Sequence, residues 1–358
     1  MKLYPLKVSN IIRQTDDCVQ IIFDPGDQKA QFFPFIQGQY LTLETQLGEE
    51  LVRRSYSLCS SPDEEVLTVA VKEIPEGKFS GFANQKLEEG AVLNALPPMG
   101  QFLKDPNTIK NQNLLCIAAG SGITPILSII KAQLEQSEDA NCTLLYLNKT
   151  SKSVIFKEEL SDLKNQYIGR FQILHFFTRE AQDAPLFNGR IDREKLELIF
   201  KAVLDLNNFS HYFLCGPKTM IETTNEFLLE NKVTQKQIHF ELFFADAEPT
   251  NKDDKPIAVG LKDGSVHLEI IQNGKRHFIE MGAGSPNVLE VASASGLDLP
   301  YACKGGVCCT CKAKVVEGEA KMYVNYALEN EEVEQGYILT CQAYPVTEKL
   351  VVNYDEAL

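Results

Sequence analysis

The sequence predicts a multidomain protein: an antiparallel β-barrel or sandwich, then an α/β domain on a parallel sheet, then a small α+β domain. Short alternating apolar stretches between turn residues occupy positions 5 to about 105, the habit of antiparallel sheets. From about 113, strand-like runs alternate with helix-length ones, which calls for a parallel sheet with helical crossovers. A polar stretch with two prolines, ADAEPTNKDDKP (245–256), then precedes a last segment that opens on a hairpin signal. The division expected is therefore 1–105, 106–245, a linker at 246–260, and 261–358.

In the first part the strands are VQIIF (19–23), YLTLET (40–45), RRSYSL (53–58), VLTVAVKEI (66–74) and AVLNALP (91–97). The second part reads NLLCIAA, CTLLYLN, FQILHFF and HYFLCG as strands, with helices in PILSIIKAQLEQ, VIFKEELSDLKNQ and TMIETTNEFLLEN. The third begins with VHLEIIQNGKRHFIEMG, a hairpin with Asn273-Gly274 at its turn.

At 358 residues, 44% apolar and 23% charged, the chain has an ordinary globular composition and room for two or three cores. MKLYPLKVSN has no long apolar run, so no signal peptide is expected there. The longest apolar passage, 114–130, is broken by Gly-Ser-Gly and Pro125, which argues against a membrane span. A cytoplasmic location follows, where ten cysteines are ligands, catalytic thiols or packed side chains rather than disulfides. The net charge of −14 disfavours nucleic acid and anionic membrane as partners and suits a basic protein surface.

The densest chemistry lies in YACKGGVCCTCK (301–312), with four cysteines in nine residues. Cys303, Cys308 and Cys311 stand as C-x4-C-x2-C, and Cys341 follows after 29 intervening residues. That is plant-type [2Fe-2S] spacing: one loop wraps two irons with three thiolates, and a distant segment supplies the fourth. Gly305 and Gly306 let backbone amides face the sulfurs without side-chain obstruction. A zinc site is the alternative, for which this spacing is poor. Cys309 falls outside the pattern and reads as a packed thiol.

The passage VLEVASASGLDLPYACKGGVCCTCKAKVVEGEAKM with ILTCQAYP resembles plant-type ferredoxin domains over about 262–355, which implies a β-grasp fold. The first 245 residues resemble the ferredoxin-NADP reductase family. Arg54-Ser55-Tyr56-Ser57 matches its R-x-Y-S motif. The resemblance implies Tyr56 beside an isoalloxazine, Ser57 near its reactive nitrogen and Arg54 facing the flavin phosphate. Val71 and Lys72 end the next strand, and Gly77-Lys78-Phe79-Ser80 opens a helix whose first amides suit a pyrophosphate. FIQGQYL (35–41) is similar to the family's P-G-Q-[FY] strand, with Gln37 for proline, and PPMGQF (97–102) to its barrel-closing turn. FAD is the majority expectation within the family, with FMN the alternative.

Gly120-Ser121-Gly122-Ile123-Thr124-Pro125 follows the strand NLLCIAA directly. Glycines admit a diphosphate, while Thr124 as N-cap and Pro125 at the first helical position start a helix with its positive end toward that anion. Cys215-Gly216-Pro217 resembles the family's C-G-P motif beside the nicotinamide; a buried strand-end thiol reads the same way. Glu241-Leu242-Phe243 resembles the end of the reductase module, where an aromatic lies near flavin or nicotinamide, and Phe240 and Phe244 offer the same chemistry as Phe243. The second strand ends in Asn148–Ser153 with no carboxylate, and the third in Thr178-Arg179, similar to the Ser-Arg pair that grips a 2′-phosphate. NADPH is therefore expected over NADH.

The order of parts implies a relay from NADPH through flavin and cluster to a protein outside this chain. Within the family it resembles reductases whose partner is the oxygenase component of a multisubunit (diiron) monooxygenase. A Rieske oxygenase as acceptor, and a redox sensor or relay component without turnover, are the competing readings. Glu329, Glu331, Glu332 and Glu334 precede Cys341 and suit a basic docking face.

Overall fold

The computed structural model describes residues 2–243, 265–282 and 284–356, so the expected linker and Phe244 lie outside the described residues. The chain divides into two compact units, Leu3–Phe243 and a C-terminal one.

The first unit holds two sheets. Strands β1 (Tyr4–Thr15) and β2 (Cys18–Asp24) lead through the short helix α1 (Gln28–Phe32) to β3 (Tyr40–Leu47), β4 (Glu50–Ser57) and β5 (Leu67–Lys72). Helix α2 (Lys78–Gln85) and strand β6 (Val92–Ala95) complete the set. The strand order is β4-β3-β6-β1-β2-β5, and an antiparallel bridge between Leu58 and Val69 brings the two ends together. The choice between barrel and sandwich thus falls to a barrel, and closing it removes the open edges of β4 and β5. Its interior is apolar, with Leu6, Val8, Ile21, Phe23, Leu41, Leu43 and Val71 all buried. FIQGQYL and PPMGQF form one structure: Tyr40 bridges Met99, and Gln39 Nε2 donates to the Gly100 carbonyl at 3.4 Å.

The second sheet is parallel throughout, in the order β11-β10-β7-β8-β9. Its strands are β7 (Leu114–Ala119), β8 (Cys142–Asn148), β9 (Phe171–Phe177), β10 (His211–Gly216) and β11 (Ile238–Leu242). The crossovers are α3 (Ile123–Gln136), α4 (Lys157–Gln166), α5 (Arg193–Ala202) and α6 (Lys218–Glu230). Helix α5 is absent from the helices marked in the sequence; the Asp192 side chain caps it by accepting from the Lys195 amide at 2.9 Å. Helix α4 starts later than VIFKEELSDLKNQ suggests. Val154, Ile155 and Phe156 are buried as an anchor, and Phe156, at φ 60°, donates its amide to Gln14 Oε1 at 3.0 Å.

The C-terminal unit is a β-grasp. Its strands are β12 (Val266–Gln272), β13 (Lys275–Met281), β14 (Lys312–Glu317), β15 (Ala320–Met322), β16 (Tyr337–Leu339), β17 (Ala343–Pro345) and β18 (Lys349–Asn353), with helices α7 (Val288–Ala294) and α8 (Asn330–Glu334). The main sheet runs β13-β12-β18-β14-β16, with β12 parallel to β18. Asn273 and Gly274, at φ 52° and 70°, make the expected hairpin turn. Among the described residues no helix is long and apolar enough to cross a membrane.

Candidate redox sites

The parallel sheet reverses its winding between β7 and β10, and ligands of such sheets bind at the carboxyl ends of the strands flanking that point. Both predicted nucleotide motifs sit there. A Cβ on Gly122 would lie 2.2 Å from the Cys215 carbonyl oxygen, so the glycine turn rests directly on the Cys215-Gly216 backbone. Gly120, at φ 54°, faces open space, the cradle a diphosphate requires.

Thr124 is not the N-cap. A 3₁₀ turn over Gly120–Gly122 runs straight into α3, whose N-cap is Gly122, and Thr124 Oγ1 donates back to the Ser121 carbonyl at 3.0 Å. Pro125 consequently stands third in the helix, still in the turn whose amides lack partners. Cys215 is fully buried, and burial pushes its thiol well above the usual range, so it is a neutral side chain. Pro217 sits at the N-terminal end of α6 as its N-cap.

On the barrel, β4 pairs with β3 so that Ser57 lies opposite Tyr40 and Tyr56 opposite Leu41. Alternation along the strand sends Arg54 and Tyr56 to one face and Ser55 and Ser57 to the other. Arg54 is exposed, open to an anion. Tyr56 packs against Phe79 of α2 with ring centroids 5.3 Å apart, and burial raises its hydroxyl pKa. Ser55 Oγ is 2.9 Å from Thr42 Oγ1. Val71 and Phe79 point into the core, so only their backbone is left for a cofactor. Ser80 Oγ accepts from the Ile74 amide at 3.3 Å and donates to the Gly77 carbonyl at 3.2 Å, which leaves its amide for the same task. Lys72 Nζ lies 3.4 Å from Asp17.

Glu241 is a residue that the motif does not single out, because the expected feature there is the aromatic Phe243. It stands level with Cys215 across β10 and β11, and Ser57 Oγ donates to its Oε2 at 3.4 Å. This joins the flavin motif of the barrel to the edge of the nucleotide sheet. Desolvation pushes the carboxyl up to about 8, against the lowering effect of the Ser57 hydrogen bond. Phe243 is half-buried against the core that holds Cys215 and Ile123, while Phe240 is 41% exposed. A carboxylate aligned with the C-G-P strand was the available signal.

At the far end, Thr178 and Arg179 extend β9 by bonding their amides to the Asn148 and Lys149 carbonyls at 3.0 and 2.8 Å. The structure also brings a carboxylate to the end of β8 that the local sequence lacks: Glu180 Oε2 accepts from the Ser151 amide at 2.8 Å and its hydroxyl at 2.9 Å.

In the C-terminal unit the four predicted thiols converge. Cys308 Sγ lies 3.1 Å from Cys303 Sγ, which also accepts from the Gly305 amide at 3.3 Å, and none of the ten cysteines is in a disulfide. Hydrogen bonds from Cys308, Cys341 and the Gly305 and Val307 amides favour the Cys303 thiolate. Thr340 ties the distant segment in: its amide and hydroxyl both donate to the Cys311 carbonyl, at 3.1 and 2.9 Å, and Tyr354 holds Thr340 Oγ1 at 2.7 Å. Gly306, at φ 74°, sits where a Cβ would meet the Val324 carbonyl at 3.1 Å. Among the described residues no three His, Cys, Asp or Glu groups surround a single ion. A binuclear cluster asks only two thiolates of each iron, and this donor set fits it. Cys309 Sγ turns away to the Ala327 carbonyl at 3.5 Å.

The comparisons with known proteins agree with this geometry. Residues 6–103 match the oxidoreductase FAD-binding domain, 116–226 the oxidoreductase NAD-binding domain and 270–346 the 2Fe-2S iron-sulfur cluster binding domain. The chain is 37% identical to one component of the 1,2-phenylacetyl-CoA epoxidase of Escherichia coli (strain K12), covering 98% of each chain. It is 31% identical to the ferredoxin reductase component of 3-ketosteroid-9-alpha-monooxygenase of Rhodococcus rhodochrous, over 98% of this chain and 96% of that one. Phthalate dioxygenase reductase shares its fold with a TM-score of 0.61, 23% identity and 98% of each chain covered. The chain belongs to the ferredoxin-NADP reductase family, in the form that carries a C-terminal plant-type [2Fe-2S] domain, and is an NAD(P)H-dependent flavin and iron-sulfur oxidoreductase using FAD.

Proposed function

We propose that this chain is the NADPH-dependent reductase of a diiron oxygenase that converts phenylacetyl-CoA to its ring 1,2-epoxide in phenylacetate breakdown. The observation that carries the acceptor is the near full-length similarity to the component of the Escherichia coli epoxidase. The runs KGGVCCTCKAKVVEGEAKM and NYALENEEVEQGYILTCQAYP support it in detail.

When bound, the nicotinamide supplies a hydride, FAD takes the electron pair and releases it singly, and the cluster carries one electron at a time. The chain's residues do the rest. Gly120, Gly122 and the first amides of α3 hold the nucleotide diphosphate, and Cys215, Gly216 and Pro217 back the nicotinamide. Thr178 and Arg179 hold the 2′-phosphate, supported by the exposed Lys149 and Lys152. Tyr56 and Ser57 line the flavin ring, with Glu241 behind Ser57 accepting from its hydroxyl at Oε2. Arg54 and the amides of Phe79 and Ser80 meet the FAD phosphates. Cys303, Cys308, Cys311 and Cys341 ligate the cluster. The working division remains 1–105 for flavin, 106–245 for nucleotide and 261–358 for the cluster. Ten cysteines serving as cluster ligands and packed thiols suit a reducing cytoplasm.

The test is NADPH-driven turnover of phenylacetyl-CoA by the diiron epoxidase with this protein as sole reductase. Product in proportion to NADPH consumed supports the reading. Normal reduction of flavin and cluster with no product keeps the relay and discards the partner. A second reading, service to a different oxygenase, is favoured by the 31% identity to the Rhodococcus reductase, and the same assay with a ketosteroid monooxygenase decides it.

A further inference from the structure

Glu180 follows the Thr178-Arg179 pair, yet its carboxylate turns back onto the neighbouring strand end. Beyond the last paired residues, Asn148 and Phe177, the Thr178 and Arg179 amides bond the Asn148 and Lys149 carbonyls, which brings Glu180 beside the turn that carries Ser151. The turn that carries Ser151 is closed on itself: the Thr150 amide donates to Ser153 Oγ and the Ser153 amide to the Thr150 carbonyl, both at 3.0 Å. The Ser151 amide and hydroxyl are thereby held in place, and Glu180 Oε2 takes both, at 2.8 and 2.9 Å. Lys149, Lys152 and Arg179 are exposed, and none forms an ion pair among the described residues.

Two fixed donors gripping an anion beside three unneutralised cations are the recognition chemistry of a phosphate monoester. We infer that Glu180 competes with the NADPH 2′-phosphate for the Ser151 donors, and so lowers selectivity for the phosphorylated cofactor. This rests on the proposal that Thr178 and Arg179 face that phosphate. A carboxylate can instead accept from the ribose hydroxyls of NADH; here Oε2 is already committed to Ser151, which favours competition with the phosphate.

The experiment is direct binding of 2′,5′-ADP and of 5′-ADP to the holoprotein, for wild type, Glu180→Gln and Glu180→Ala. Removing a like charge beside a doubly charged phosphate is expected to tighten 2′,5′-ADP by about tenfold in both variants, with 5′-ADP unchanged. No tightening, or a parallel weakening of 5′-ADP that marks Glu180 as a ribose ligand, overturns the inference. The NADPH reading is judged separately, by whether wild type prefers 2′,5′-ADP to 5′-ADP at all.

Discussion

Replacing Glu241 by Gln should erase a pH dependence that wild type shows near pH 8. In the folded chain the carboxyl titrates at about 8 instead of 4.5 because burial disfavours its charge. A displacement of that size is worth about 5 kcal/mol between the two protonation states, less whatever its partial exposure returns. Below pH 8 the group is neutral, and above it a negative charge stands 3.4 Å from Ser57 Oγ. Hydride transfer loads negative charge onto the flavin that Ser57 is proposed to line, so ionised Glu241 should slow it on the order of tenfold. The assay is stopped-flow flavin reduction by saturating NADPH from pH 6 to 9.5. Wild type should fall with a midpoint near 8, and Glu241→Gln should stay flat at roughly the low-pH rate. The same shift has a stability counterpart of defined sign. Between pH 4.5 and 8 the unfolded carboxyl has released its proton and the folded one has not, so stability declines as pH rises through that window. The Gln variant should lose that slope in a denaturant titration. A variant that keeps the midpoint near 8 in flavin reduction would refute the assignment.

Other consequences follow from single contacts. Gly122→Ala would place a methyl 2.2 Å from the Cys215 carbonyl oxygen, and should lower stability by roughly 1–3 kcal/mol and weaken nucleotide binding, read by thermal melting with and without NADP⁺. Cys303→Ser should abolish the visible absorption of the cluster while NADPH still reduces the flavin, whereas Cys309→Ser, whose thiol faces Ala327, should keep the cluster. Arg179→Gln should cost about tenfold in kcat/KM for NADPH and leave NADH within about twofold. Glu331 and Glu334 are exposed on α8, while Glu332 is drawn 3.4 Å from Lys312 Nζ. Reversing Glu331 and Glu334 to Lys should slow reduction of the oxygenase and spare flavin reduction; equal loss of both rates removes the docking role.

The amino-acid sequence by itself determined the features written in local spacing. Three cysteines within nine residues, a glycine turn directly after an apolar strand, and alternating strand and helix lengths act through neighbours in the chain. Their chemistry is therefore legible before any folding is known. The tertiary structure decided what depends on contacts between distant segments. The Leu58–Val69 bridge made the first sheet a barrel, and the 3₁₀ turn at Gly120–Gly122 moved the start of α3 ahead of Thr124. Ser57 and Glu241 are 184 residues apart, and Ser151 and Glu180 are 29 apart. No periodicity links either pair. Ser151 and Glu180 meet because β8 and β9 are neighbours, Ser57 and Glu241 because the barrel packs against the end of β11; burial then raises the proton affinity of Glu241, and the Ser151 donors hold Glu180.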